Sequence, residues 1–233
     1  MKKWRTKNGY HIYRVLTGRS NAYLVSYGRK NILVDTGTSN NYQRLLKGIG
    51  SIITHRERID MVVLTHTHFD HCQNASRFRR DQGSIILASS YESVCTKEGF
   101  TPIPRGTLPY SKIISRVGRL LGSRFFGYPH FSIDIEVEDK YAFNDFDMNL
   151  RIVSTPGHSA GSMSLIVDNE IALVGDAMFG IFNNSILPPF ADDKQKMFES
   201  WKKLYATGCR LFLPGHGNII DKELLRSQIY KIN

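Results

Sequence analysis

Thr65-His66-Thr67-His68-Phe69-Asp70-His71 follows directly on the apolar run Met61-Val62-Val63-Leu64. The run, with Ile59 ahead of it, reads as a buried strand. The stretch after it packs three imidazoles and a carboxylate into six positions where that strand ends. Buried histidines and aspartates need partners, so so dense a turn makes a poor core and a good ligand platform. Three more places put a His or Asp where an apolar run gives way to a Gly-rich turn. They are Thr155-Pro156-Gly157-His158, Val174-Gly175-Asp176 and Leu213-Pro214-Gly215-His216. Strand ends of a layered α/β fold gather along one edge, where ligand sites form.

The order of elements around these turns supports such a fold. Strands are expected over His11–Leu16, 21–27 and 31–35, the last ending in the tight turn Asp35-Thr36-Gly37. A helix capped by Ser39 or Asn40 should run through Tyr42, Leu45, Leu46, Ile49 and Ile53, whose spacing is helical. The strand at 59–64 is followed by a short helix over 70–80, with Arg77, Arg79 and Arg80 outward, and a strand at 83–88. Strands at 134–137, 148–153, 162–167 and 171–174 come next, the last two joined by the hairpin turn Asp168-Asn169-Glu170. A helix over 194–207, a strand at 210–213 and a helix capped by Asp221 close the chain.

A chain of 233 residues with 41% hydrophobic and 22% charged residues has ample length for a buried core. No apolar run approaches the roughly 20 residues of a membrane-spanning helix, and the basic N-terminus lacks a secretory apolar region, so a cytoplasmic location is expected. Cys72, Cys95 and Cys209 fit neither a disulfide framework nor a Cys-rich zinc site, and Cys72 reads as a small buried side chain. A net charge of +10 points to an anionic partner or to a solvated basic surface. The aromatic residues do not interleave with Lys or Arg as in RNA-binding modules.

The candidate ligands are His66, His68, Asp70, His71, His158, Asp176 and His216. His66 and His68 can share one metal with His158; Asp70 and His71 can share a second with His216, and Asp176 would bridge them. Imidazole and carboxylate without thiolate suit zinc, with iron or manganese as alternatives. Structural metal sites stop at about four ligands, so this larger set indicates an open catalytic site. Two divalent ions would lower the pKa of a water between them towards neutrality.

His66-Thr67-His68-Phe69-Asp70-His71 resembles the H-x-H-x-D-H signature of the metallo-β-lactamase-fold hydrolases. His158, Asp176 and His216 resemble that superfamily's remaining ligands, and Asp35-Thr36-Gly37 resembles its early aspartate-glycine turn. The resemblance implies a four-layer αβ/βα sandwich with the metal site at one edge of two sheets, formed by one domain over residues 1–233. It also implies a dinuclear hydrolase of glyoxalase II-like or lactonase-like type. Such an enzyme cleaves an ester, thioester or lactone with a metal-bridging hydroxide, and Asp70 both binds metal and orients the nucleophile. True β-lactamases generally lack an aspartate at the place of Asp176, and the lactonases' tyrosine is absent after Asp176, where Ala177-Met178-Phe179 stands. A phosphodiesterase or ribonuclease, a mononuclear iron persulfide dioxygenase and a noncatalytic binding protein are the alternatives on the same fold.

Residues 99–131 interrupt the strand-helix rhythm and are expected to cover the substrate. Ile113, Ile114, Val117, Leu120, Leu121 and Phe125 fall at helical spacing, with Lys112, Arg116, Arg119 and Arg124 on the other side. Gly118 and Gly122 weaken this helix. Two readings stay open: a surface helix packed on the core by its apolar face, or a mobile lid whose 110–126 region touches a membrane surface. The partner expected at the site is a small molecule, anionic or acyl-bearing, with nucleic acid less favoured.

Overall fold

A computed structural model describes residues 1–54 and 56–232. The first sheet has seven strands in sequential order: β1 (Lys3–Arg5), β2 (His11–Leu16), β3 (Ala22–Tyr27), β4 (Lys30–Val34), β5 (Met61–Val63), β6 (Ile85–Ser89) and β7 (Ile135–Val137). Its first four strands pair antiparallel, and β4 to β7 run parallel. Parallel neighbours need crossovers. These are α1 (Tyr42–Gly50), then α2 (Phe69–Cys72) with α3 (Ala75–Gln82), then a longer excursion through α4 (Ser93–Glu98), α5 (Pro109–Leu121) and α6 (Ser123–Phe126). The second sheet holds β8 (Lys140–Ala142), β9 (Leu150–Ser154), β10 (Met163–Val167), β11 (Ile171–Gly175), β12 (Leu211–Pro214) and β13 (Ile220–Asp221). Helix α7 (Lys194–Ala206) links β11 to the parallel β12, and α8 (Lys222–Ile232) follows β13.

The alternation of side chains along the strands explains the layering. In β4, Ile32 and Val34 face the second sheet, where they join Met61, Val63, Ile152, Leu165 and Leu213 in the central core. Leu33 faces the other way and packs with Leu45 and Ile49 of α1 and Phe78 of α3. In the second sheet, Leu165 and Val167 turn inward, while Ile166, Ala172 and Phe212 pack under Met197, Trp201 and Leu204 of α7. The result is four layers, αβ/βα, as the sequence implies.

Several local expectations change. The single helix over 70–80 is broken at Asn74, whose amide donates to Thr36 O (2.8 Å) and Thr38 O (3.0 Å), pinning the chain to the turn after β4. Neither Ser39 nor Asn40 caps α1: residues 39–41 form a 3₁₀ turn, Ser39 N donates to Gln73 Oε1, and α1 opens at Tyr42 without a side-chain cap. Asp221 does cap the last helix, accepting from Leu224 N at 2.8 Å.

The largest correction concerns α5. It is seated by Ser111, Ser115 and Gly118, which are buried, whereas its apolar face points outward with Ile113 68% and Leu120 83% exposed. The reading of an apolar face packed on the core is therefore overturned. A polar anchor replaces apolar packing: Ser115 Oγ donates to Pro104 O (2.6 Å) and Arg119 Nε to Ile103 O (2.9 Å). Gly118 admits this close seat, since a Cβ there would stand 2.4 Å from Ile103 Cδ1. Among the described residues, no helix is long and apolar enough to cross a membrane.

Candidate metal centre

The strand directions bring the sequence-expected ligands together. Strands β4, β5 and β6 are parallel and end on one edge, so Asp35, the His66–His71 turn and Glu92 emerge there. In the second sheet β9, β11 and β12 run the same way, each being related to its fellows through one parallel or two antiparallel pairings. His158, Asp176 and His216 follow their ends. The two edges are joined by Met163 N to Thr65 O (2.9 Å), Asn21 N to Gly215 O (2.7 Å) and Tyr23 OH to Pro214 O (2.8 Å).

All seven side chains converge. Three sets each lie with one donor atom apiece within 4.8 Å of one another: His66, His68 and His158; Asp70, His71 and His216; His66, His71 and Asp176. His158 Nε2 stands 2.9 Å from His68 Nδ1, and His71 Nε2 stands 3.3 Å from His216 Nε2. Asp176 lies between the groups, with Oδ1 3.4 Å from His71 Nε2, and Oδ2 3.3 Å from His216 Nε2 and 3.6 Å from His158 Nε2. Asp70 Oδ2 is 3.7 Å from His216 Nε2.

The outer nitrogen of four rings is held by an acceptor, and this fixes which nitrogen faces inward. His68 Nε2–H donates to Pro102 O (3.2 Å) and His158 Nδ1–H to Phe190 O (2.9 Å), because a carbonyl can only accept. His71 Nδ1–H donates to Asp35 Oδ2 at 2.8 Å. Thr65 Oγ1 donates to Asp35 Oδ2 (2.8 Å), so its oxygen accepts from His66 Nδ1–H at 3.1 Å. The remaining nitrogens therefore aim at a shared centre. Two of the buried atoms there, His66 Nε2 and Asp176 Oδ1, have no hydrogen-bond partner. Orphaned buried atoms and facing imidazole nitrogens are costly unless a cation sits between them. The donor set thus fits divalent metal ions.

The electrostatics agree. Burial, reinforced by neighbouring rings, holds His66 and His68 well below the ordinary imidazole value, so both offer lone pairs at neutral pH. Burial alone would lower His71, but Asp176 and Asp35 outweigh it and push it up to about 10. His216 is raised as well: Asp176 overcomes the effect of burial. Burial would raise Asp176, yet His216, His71 and His158 hold it well below the carboxylate range. Without a metal, the proton on His71 offsets the Asp176 charge.

Two supporting carboxylates were not among the expected ligands. Asp35, in the left-handed region at φ 60°, accepts from His71, Thr65 N (2.8 Å) and Thr65 Oγ1. Glu92, buried at 3% exposure, accepts from Thr67 Oγ1 (2.5 Å) and Ser159 Oγ (2.7 Å). It thereby ties the His66–His68 turn to the residue after His158. The signal for Glu92 was its place just past β6, on the same edge as the histidines.

Above the ligands opens a cleft of about 350 Å³. Its floor is His68, Asp70, His158, Asp176 and His216, and its walls include Phe69, Ile103, Ile114, Phe126, Phe179 and Phe190. Arg19 enters at the rim, 4.8 Å over the Phe69 ring and 3.9 Å from Asp70. Residues from the 99–131 segment thus form part of the cleft wall.

Comparison with known proteins adds four findings. The family model described as the metallo-beta-lactamase superfamily matches residues 15–216. The chain is 24% identical over 220 residues to the atrochrysone carboxyl ACP thioesterase of Aspergillus fumigatus, covering 90% of this chain but only 57% of that protein. It is 27% identical over 197 residues to the probable metallo-hydrolase MJ0296 of Methanocaldococcus jannaschii, covering 83% of this chain and 74% of the relative. In structure it is similar to the archaeal protein ST1585 of Sulfolobus tokodaii, with a TM-score of 0.66 at 21% identity over 95% of this chain and 85% of the other.

Proposed function

The chain belongs to the metallo-beta-lactamase superfamily, and on that premise we propose that it is a two-metal hydrolase of an ester, thioester or lactone with an apolar acyl part. His66, His68 and His158 would hold one ion, Asp70, His71 and His216 the other, with Asp176 shared between them. When bound, such ions supply a water of lowered pKa and Lewis-acid polarisation of a carbonyl.

The chain's own groups supply the rest. Asp35, Thr65, Pro102 O and Phe190 O lock the rings in the tautomers that face the centre. Asp70 is the carboxylate that lines the cleft beside Arg19, placed to orient the attacking water and hold its proton at Oδ2. Phe69, Phe126, Phe179 and Phe190 exclude bulk water and embrace an apolar chain. Arg19, at the rim, can meet a carboxylate or phosphate on the far part of a substrate.

The observation that carries this reading is the wall of the cleft. It is mainly aromatic and aliphatic, with Arg19 as the cation among its lining residues. A phosphodiester backbone calls for a track of cations instead. The thioesterase named among the relatives accords with acyl chemistry.

The test is a series of p-nitrophenyl esters from acetate to dodecanoate on metal-loaded protein. Each methylene that enters the cleft should raise kcat/KM by up to about fourfold, the equivalent of ~0.8 kcal/mol, until the cleft is full. A series flat in chain length would overturn the acyl assignment. Cleavage of bis(p-nitrophenyl) phosphate without esterase activity, or oxygen uptake on a persulfide, would overturn the reaction class.

A further inference from the structure

The outward face of α5 has no partner among the described residues, and its chemistry is specific. Tyr110, Ile113, Val117 and Leu120 lie along it, at 50%, 68%, 49% and 83% exposure, and Phe125 of α6 is 59% exposed. Single exposed apolar residues are ordinary, but a contiguous helical stripe of them marks an interaction surface.

The charges around the stripe are of one sign. Between Glu98 and Asp134 the chain contains no acidic residue, while Arg105, Lys112, Arg116, Arg119 and Arg124 all fall within that span. Arg119 is engaged with Asp192 at 3.3 Å. Lys112, Arg116 and Arg124 are exposed and form no ion pair among the described residues. On the α5 wheel Lys112 and Arg116 flank the apolar stripe on the side away from Ile114, and Ile114 lines the cleft.

We propose that α5 and α6 form a docking surface for an anionic lipid bilayer, the apolar stripe entering the headgroup boundary and the flanking cations meeting lipid phosphates. An apolar face bordered by Lys and Arg is the pattern of a helix lying in a membrane interface. A second copy of the chain on this face would set two acid-free cationic segments against each other, which disfavours a symmetric dimer there. Ile114 connects the docked face to the cleft, giving an acyl chain an apolar route from the bilayer. Docking itself does not depend on the hydrolase reading, and the test below reads binding rather than turnover.

The full chain is sedimented with vesicles of phosphatidylcholine alone and of phosphatidylcholine with one quarter phosphatidylglycerol. Wild type should pellet with the anionic vesicles, weakly with neutral ones, and less as salt is raised. Removing Lys112 and Arg116 as alanines should lower partitioning by about fivefold for each cation. Leu120→Asp together with Ile113→Asp should abolish it while circular dichroism stays that of wild type, because both side chains are exposed. No binding to anionic vesicles, or equal binding to neutral ones, would overturn the proposal. So would a wild-type dimer in solution that Leu120→Asp dissociates, or binding of an acidic carrier protein that these variants abolish while vesicle binding is absent.

Discussion

Asp35 touches no candidate metal position, yet three donors that orient the centre end on its carboxylate: His71 Nδ1, Thr65 N and Thr65 Oγ1. Replacing it by asparagine keeps the volume, removes the charge and turns an amide NH₂ towards a donor. Asp35→Asn should therefore weaken metal binding or activity by about 10- to 100-fold, measured by competition with a chromophoric chelator. Wild-type affinity in the variant would show that the His71 ring is oriented without it. The seven candidate ligands stood out because four of them are clustered within six positions and the other three each follow an apolar run at a Gly-rich turn. Asp35 was legible only as a turn, and Glu92 only by its place after a strand that ends on the ligand edge, a signal the residue pattern alone does not single out. Their roles depend on neighbours 25 to 67 positions away, which only the folded sheets bring close.

At the scale of elements, periodicity located helices and strands well and their surroundings less well. The apolar stripe of α5 was visible in the sequence, but a periodic pattern says that a face is apolar and not what it meets. Here small and hydroxyl residues make the seat, and Gly118, read as a weakness, is what lets the helix approach Ile103. The break between α2 and α3 was missed because it arises from Asn74 bonding to a distant turn. Gly157, just before His158, has φ +135°, and a Cβ there would lie 2.4 Å from Met197 N and 2.5 Å from its Cα. Backbone at the start of α7 cannot yield as a side-chain tip can. Gly157→Ala should cost about 1–3 kcal/mol of stability in urea unfolding, with weaker metal retention at His158. An unchanged midpoint with full metal retention would mean that the turn before His158 has more freedom than this packing implies.

For the whole molecule, the two sheets are held at one edge by the candidate centre and at the other by Asp168. That carboxylate accepts from Asn8 N (3.1 Å), Asn8 Nδ2 (2.6 Å) and Asn149 Nδ2 (3.0 Å), joining the start of the chain to the second sheet. Burial would raise its pKa, but hydrogen bonds from Thr6, Asn8 and Asn149 bring it below the ordinary aspartate value. A depressed folded-state pKa gives stability that is present above the unfolded value, near 4, and is lost as pH falls through the folded one. Acid unfolding curves of Asp168→Asn should accordingly be flatter below about pH 4 than those of wild type. Parallel curves would remove Asp168 from the account.

The candidate metal centre has a proton linkage of its own. His71, pushed up to about 10, holds a proton at neutral pH that a metal must displace, and Asp176 raises His216 in the same direction. Affinity should climb with pH, by about tenfold per unit for each proton released. It also joins ligands from both sheets, so chelation should lower the thermal midpoint.

The most direct test of that centre is calorimetric titration of zinc into chelator-stripped protein, with wild type and His216→Ala compared at one pH. The geometry predicts about two ions per wild-type chain and the loss of one of them in the variant, with the site of His66, His68 and His158 still filling. A single ion in wild type, bound equally well by His216→Ala, would contradict it.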